Sequence, residues 1–378
     1  MAQLFQSEFP FLPDYIPSSG IELVKYKRQQ FIDKLGLEIV QGVVASIMKG
    51  KNVRDLTEGL TQRRVLMQTA SVLKTYLEAM SSIEDFENKL SDIVKNNVSL
   101  RLNPSQKAYL FWFVGLTGKS IQNVIRGGEL ANYIEVFDEN LKDIAKDVEK
   151  TYGDLTLDAK FDGKELTLKW PNLVRCLLAV GAATLTTRGS EKSLYGKTFE
   201  ILVLGSVLTV LGFDYIDKND VSRNSQVFWL SERKNKRESD ATLLVRKGVG
   251  VRFDIGFIGK GNTEISLDKV SRFERVMERG GISHNTSTVI LVDNIGENSR
   301  ITEMAKAIDG TILQMREHYW VYSLAQTLER KCSYHSAILD GTKEASLKYI
   351  DEKMKTVNLG EFLKLAGDDS EEEDEEQD

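Results

Sequence analysis

Three acidic residues stand where an acid is costly, and their spacing is that of a cation site. Asp254 lies inside the run Val249-Gly-Val-Arg-Phe-Asp-Ile-Gly-Phe-Ile258, which is otherwise apolar enough for a central strand. A period of two puts Arg252, Asp254 and Gly256 on one face and Phe253, Ile255 and Phe257 on the other. Asp240 stands at the start of the preceding strand-like run, Ser239-Asp-Ala-Thr-Leu-Leu-Val245. The connection Arg246-Lys247-Gly248 is short enough for a hairpin, so the two aspartates can approach across paired strands. Two carboxylates that close repel unless a cation lies between them. Hard oxygen donors with no nearby His or Cys favour magnesium over zinc. Glu200 interrupts an almost wholly apolar helix over 194–211. A carboxylate there needs a partner or a metal, unless the helix N-terminus satisfies it.

The elements that must position these acids follow from hydrophobic periodicity. Amphipathic patterns predict helices over 21–49, 61–97, 104–126 and 128–150. Asn103 before Pro104 reads as a helix cap, and Gly127-Gly128 as a break. Alternation around Asp162-Gly163 predicts a hairpin over 154–169. An apolar helix over 171–185 and a polar, basic stretch, 187–193, come next. From 194 the order is α-β-β-β-α-β-α-β-α. Strands are expected at 226–230, 239–246, 249–258, 288–293 and 311–315, and helices at 194–211, 266–279, 298–308 and 319–331. Gly212 is the expected stop of the helix 194–211. The expected fold class is therefore α/β: a mixed sheet flanked by helices, preceded by a mostly helical domain. The expected division is 1–170 for that helical domain, 171–365 for the sheet domain and 366–378 for a disordered acidic tail.

Composition narrows the function classes. The chain has 378 residues, 41% hydrophobic and 28% charged, as a globular protein does. Its net charge of −6 is carried by the last eleven residues, which hold nine acids and no base. The remainder has 50 Lys and Arg against 47 Asp and Glu and is mildly basic. Two distant cysteines, Cys176 and Cys332, exclude a disulfide framework and a cysteine zinc site, and fit a reducing cytoplasm. No basic leader opens the N-terminus, and no apolar run reaches the roughly 20 residues of a membrane span. Gly115-Leu-Thr-Gly-Lys-Ser120 has the tail of a phosphate-binding loop but neither its leading glycine nor its strand.

A Glu-bearing helix ending in Leu211-Gly-Phe213, then a hairpin with two acids, a helix and a further strand, resembles the PD-(D/E)XK nuclease superfamily over roughly 194–330. The resemblance implies that Glu200, Asp240 and Asp254 bind magnesium and direct water at a phosphodiester. The family usually carries Lys two residues after the second strand acid, where this sequence has Gly256. The replacement candidates are Lys260, in a Gly-Lys-Gly loop, and Lys269, in the first turn of the helix 266–279; Lys269 is preferred because a helix holds a side chain more firmly. The runs 53–64, 188–197, 237–240 and 252–262 are similar to type II restriction endonucleases of the CfrBI kind. That similarity implies cleavage of a short palindromic duplex with an A/T-degenerate centre flanked by C·G pairs. A homodimer and a cognate DNA methyltransferase in the same system are expected with it.

Basic residues surround the acids. Residues 231–279 contain twelve bases and eight acids, and the helix 266–279 sets Lys269, Arg272 and Arg279 opposite an apolar side. These are candidate phosphate contacts, with Lys197. Arg188, Lys192, Arg233, Lys234, Lys236 and Arg237 are expected in loops able to reach a major groove. A repair or junction-resolving nuclease of the same fold, or a DNA-binding protein that has lost catalysis, stays open on these residues alone.

Overall fold

The computed structural model describes residues 9–24, 32, 36–217, 223, 225–231, 239–257, 286–295 and 310–366. The helices expected at 266–279 and 298–308, and the acidic tail from 367, lie outside these described residues. The helical part contains α1 (Ser18–Val24), α2 (Leu37–Met48), α3 (Val53–Ser82), α4 (Phe86–Val98), α5 (Pro104–Trp112), α6 (Gly118–Arg126) and α7 (Leu130–Tyr152). A hairpin, β1 (Thr156–Phe161) and β2 (Lys164–Lys169), leads into one long helix, α8 (Trp170–Val210). Strands β3 (Asp214–Tyr215), β4 (Val227–Leu230), β5 (Ala241–Arg246), β6 (Val249–Gly256), β7 (Thr286–Val292) and β8 (Gly310–Gln314) form one sheet. Helices α9 (Trp320–Cys332), α10 (Lys343–Met354) and α11 (Leu359–Ala366) close the chain. A mixed sheet flanked by helices, preceded by a helical region, is the fold class the pattern predicts.

The chain forms two compact units. The first joins Met1–Tyr26 to Gly59–Lys192, and the second joins Lys27–Glu58 to Ser193–Asp378.

In the first unit the local signals behave as their chemistry requires. Asn103 Oδ1 accepts the Gln106 N–H at 2.8 Å and Gln106 Oε1 accepts the Asn103 N–H at 3.1 Å, a reciprocal cap on α5. The β1–β2 turn has Asp162 and Gly163 both at positive φ, which matches the twist of the strands. Gly115 to Thr117 lie between α5 and α6, and Gly118 to Ser120 open α6; the Thr117 N–H donates to Ser120 Oγ at 2.9 Å, and a helix precedes the turn rather than a strand. The buried Arg175 guanidinium donates to Glu87 at 3.1 Å, Asp138 at 2.9 Å and Ser91 at 2.8 Å, tying α8 to α4 and α7.

Several helix boundaries differ from expectation. The stretches expected as single helices over 21–49 and 104–126 each divide, the first before Leu37, where Gly36 takes positive φ, and the second between Trp112 and Gly118. The single helix expected over 61–97 is divided at Asp85, which takes a left-handed conformation between α3 and α4. The break expected at 187–193 is absent, because α8 runs unbroken. Nothing in that stretch stops a helix: it has no proline, and its one glycine costs only about 1 kcal/mol. By length and mean hydropathy (1.3), α8 could cross a membrane, contrary to the expectation that no such run exists. However, 71% of its apolar window is buried inside the protein, where it serves as a core helix.

In the second unit the sheet order is β3-β4-β5-β6-β7-β8. Strands β4, β5 and β6 pair antiparallel, while β6, β7 and β8 pair parallel. The short β5–β6 turn uses Gly248 at positive φ. One sheet face is largely apolar: Phe228, Leu243, Val251, Phe253, Ile255, Val289 and Leu291 are buried. Phe362 of α11 lies 6.3 Å from Phe228, ring to ring, and packs on Gly205 of α8. Gly212 takes positive φ and ends the apolar run of α8.

A Cβ at Gly205 would stand 2.8 Å from the Phe362 ring. Gly205→Ala is therefore expected to destabilise the protein by about 1–3 kcal/mol through overpacking, read from the urea midpoint. At the surface, His335 donates from Nδ1 to Glu329 at 2.6 Å and from Nε2 to Asp340 at 2.8 Å when protonated. These two carboxylates raise its pKa above the ordinary 6.5. The pair's contribution is full below pH 6.5 and is lost as pH rises through the raised value. The His335 ring resonances should titrate above those of a free histidine, and Glu329→Gln with Asp340→Asn should return them to the ordinary range.

Candidate active site

The β5–β6 hairpin sets the two strand acids together. Ala241 pairs with Phe253 and Thr242 with Arg252. The same register carried one residue further sets Asp240 opposite Asp254. A hydrogen bond fixes this end of the hairpin: the Ile255 N–H donates to Asp240 Oδ2 at 2.8 Å. The Asp240 carbonyl in turn accepts the Ser231 N–H at 3.0 Å, so Asp240 links β4, β5 and β6.

Asp254 is 8% exposed, in a strand whose opposite face is fully buried. The parallel register places Ile290 beside Asp254 and Val292 beside Gly256 on β7. Ile290 and Val292 form a small apolar cluster with Ile295 and Ile312. Asp254 thus has a carboxylate on one side and an apolar wall on the other. Such a wall excludes water and strengthens any electrostatic contact made there.

Glu200 is half-buried and lies thirty residues into α8. The helix N-terminus considered as its partner is therefore too far away. Lys197 is exposed one turn earlier, on the same side of α8. The helix is tied through Phe362 to the apolar sheet face, whereas the strand acids belong to the other face. Among the described residues no three His, Cys, Asp or Glu side chains are grouped to hold a metal ion. The structure brings Asp240 and Asp254 together and does not gather Glu200 into a three-acid group with them.

The basic candidates divide. Arg188 and Lys192 were expected in a loop; both lie within α8, because the helix continues through this stretch. Arg188 is exposed. Lys260, Lys269, Arg272, Arg279, Arg233, Lys234, Lys236 and Arg237 lie outside the described residues.

One charged residue escaped the sequence reading. Asp293 follows β7 and is buried; its N–H donates to the Gly256 carbonyl at 3.1 Å. Burial pushes its carboxyl pKa up, opposed by Arg316, whose Nε lies 3.3 Å away, and by Arg54. An acid ending a buried strand is a detectable signal. Its cation partners, Arg316 and Arg54, are remote in sequence, so the strand pattern alone does not pair it.

Comparison with known proteins supplies the class. The type II restriction enzyme CfrBI of Citrobacter freundii is 38% identical over 352 residues, covering 92% of this chain and 98% of that enzyme. The CfrBI restriction endonuclease family model matches residues 37–300, which include both strand acids. No solved structure matches the chain. The class is therefore type II restriction endonuclease, a site-specific deoxyribonuclease. The chain belongs to the CfrBI restriction endonuclease family. Of the readings left open by the residues, this one is selected over a repair nuclease or an inactive DNA-binding protein.

The double role of Asp240 can be separated from its charge. Asp240→Asn keeps an oxygen for the Ile255 N–H and should change stability by less than about 1 kcal/mol. Asp240→Ala leaves that donor unsatisfied and should cost about 1–3 kcal/mol. Urea denaturation of the two variants checks the order.

Proposed function

We propose that the chain hydrolyses one phosphodiester in each strand of a short palindromic DNA duplex, using magnesium and a PD-(D/E)XK-type core. The observation that carries this is the register that sets Asp240 opposite Asp254 on one face of the sheet. Two facing carboxylates repel, and a divalent cation between them removes the repulsion. The donor set fits magnesium, which is commonly held by one or two carboxylates together with substrate phosphate. When bound, magnesium supplies a water of lowered pKa and offsets charge on the phosphate.

Asp254 and Asp240 would hold the ion, while the Ile255 N–H keeps Asp240 from turning away. The apolar wall of Ile290 and Val292 limits solvent around the carboxylates. Glu200 is the proposed third acid, acting from α8 once DNA is bound. Lys269, or Lys260 as the second candidate, supplies the positive charge that Gly256 cannot. It orients the attacking water and leaves a 5′-phosphate product. Arg188, Lys192, Lys197, Arg233, Lys234, Lys236, Arg237, Arg272 and Arg279 are the proposed DNA contacts. Those that meet phosphate set affinity and salt dependence rather than sequence choice. One such centre per chain and two strands to cut imply a homodimer on a two-fold site. A cognate DNA methyltransferase, acting in the same cytoplasm on the same site, completes the system.

Plasmid DNA incubated with the protein and magnesium should give discrete fragments, and chelation should abolish them. Asp254→Ala should lower cleavage by on the order of 10²–10³-fold or more while DNA binding persists in a gel-shift assay. Full cleavage by this variant would remove Asp254 from the site. Lys269→Ala should lose more activity than Lys260→Ala; the reverse order reassigns the lysine.

A further inference from the structure

Arg252 lies on β6 two residues before Asp254, so both side chains leave the same face of the sheet. The registers carry that face across the neighbouring strands. Trp229, Thr242, Arg252, Thr288 and Gly310 make one row. Asp254, Ile290 and Ile312 belong to the next row. Two residues along a strand span about 7 Å, so the rows lie that far apart. The row of Arg252 is polar at its centre. Thr242 is half-buried, Thr288 is buried, and Ser239 Oγ lies 3.4 Å from Thr242 Oγ1.

An arginine drawn into the middle of a sheet is costly, because a guanidinium is always charged and its N–H donors need partners. The buried arginines of this protein find them. Arg175 donates to Glu87, Ser91 and Asp138, and Arg64 donates to the Leu23 and Val24 carbonyls. Arg252 differs. It is half-buried, yet among the described residues no hydrogen bond or ion pair engages its guanidinium. Its neighbours on both sides, Thr242 and Thr288, are short and carry hydroxyls rather than carboxylates. A planar cation with open donors, set beside hydroxyls and one row from a carboxylate pair, matches a phosphate group.

We propose that Arg252 binds a backbone phosphate of the DNA strand being cut, next to the phosphate held at Asp240 and Asp254. The inference rests on the cleavage reading above, in which this face of the sheet meets DNA. One row of separation sets Arg252 apart from the ion site and suits it to an adjacent phosphate. Its task is therefore distinct from that of the lysine, which acts on the phosphate under attack. A central strand holds its side chain more firmly than a loop, so the contact fixes the DNA backbone in register with the two carboxylates. It positions the duplex and reads no base.

The test measures binding of a short random-sequence DNA duplex to the full chain without magnesium, so cleavage does not enter. Titrations at several salt concentrations give the slope of log K against log salt. Arg252→Gln should make that slope shallower by about 0.9 for each chain bound, the mark of one lost phosphate contact. Arg252→Lys keeps the charge and should keep the slope, with weaker binding because the two-pronged donor is gone. A second measurement needs no variant. An arginine-selective dicarbonyl reagent should modify Arg252 in the natural chain, and the duplex should protect it, read by mass spectrometry of the peptide. A glutamine variant that folds and keeps the natural slope, or equal labelling with and without DNA, would each overturn the proposal. If Asp254→Ala still cuts DNA while Arg252→Gln loses the slope, the carboxylate site falls and this contact stands.

Discussion

The fixed register of β6 is the constraint on which the site depends. Val251, Phe253 and Ile255 fill one side of this strand and are buried against the apolar face of the sheet. A shift of one residue would turn all three outward and drive Arg252 and Asp254 into the core. The cost of that shift holds the register, and the register decides where the carboxylates project. Asp240 then adds a local lock, because its side chain takes the N–H of a residue in the neighbouring strand. The direction of the carboxylates on one face is thus set by hydrophobic burial on the other.

The parts of the fold written in short-range pattern were legible in the sequence. The Asn103 cap, the Asp162-Gly163 turn, the Gly212 stop and the alternation of β6 each need only a few neighbouring residues. The pairing of Asp240 with Asp254 was legible for the same reason: a connection as short as Lys247-Gly248 leaves little freedom of register. What the sequence hid depends on partners far along the chain. The break at Asp85 carries neither Gly nor Pro, and the continuity of α8 through 187–193 runs against a polar composition. Arg175 lies on an apolar helix and would be expected at its surface, yet it is buried because acids more than 35 residues away surround it. On α3 the buried residues mix Thr61, Arg64, Gln68, Ser71 and Thr75 with Val72, Tyr76 and Ala79, a burial that hydrophobic periodicity does not announce.

Buried charge is handled differently in the two units. In the first, the Arg175 guanidinium is shared by Glu87, Asp138 and Ser91, which satisfies its donors and leaves a rigid node. In the second, Asp254 stands beside a like charge and an apolar wall. The first arrangement suits a scaffold.

The second unit also joins opposite ends of the chain. Helix α2 is held by residues near the C-terminus: the Gln41 side chain donates to the Met354 carbonyl, Lys49 pairs with Asp351 at 2.6 Å, and Trp320 donates to the Ile47 carbonyl at 3.0 Å. These contacts span roughly 270 to 310 residues, so their closure entropy is met only late in folding. During synthesis α2 emerges before α9 and α10 and waits for them. The unit bearing the paired acids is therefore completed only after both have been made. A prematurely terminated chain would keep its first helical core but leave α2 without its clasp. For a protein whose class degrades DNA, vectorial synthesis itself thus delays the appearance of a competent fold.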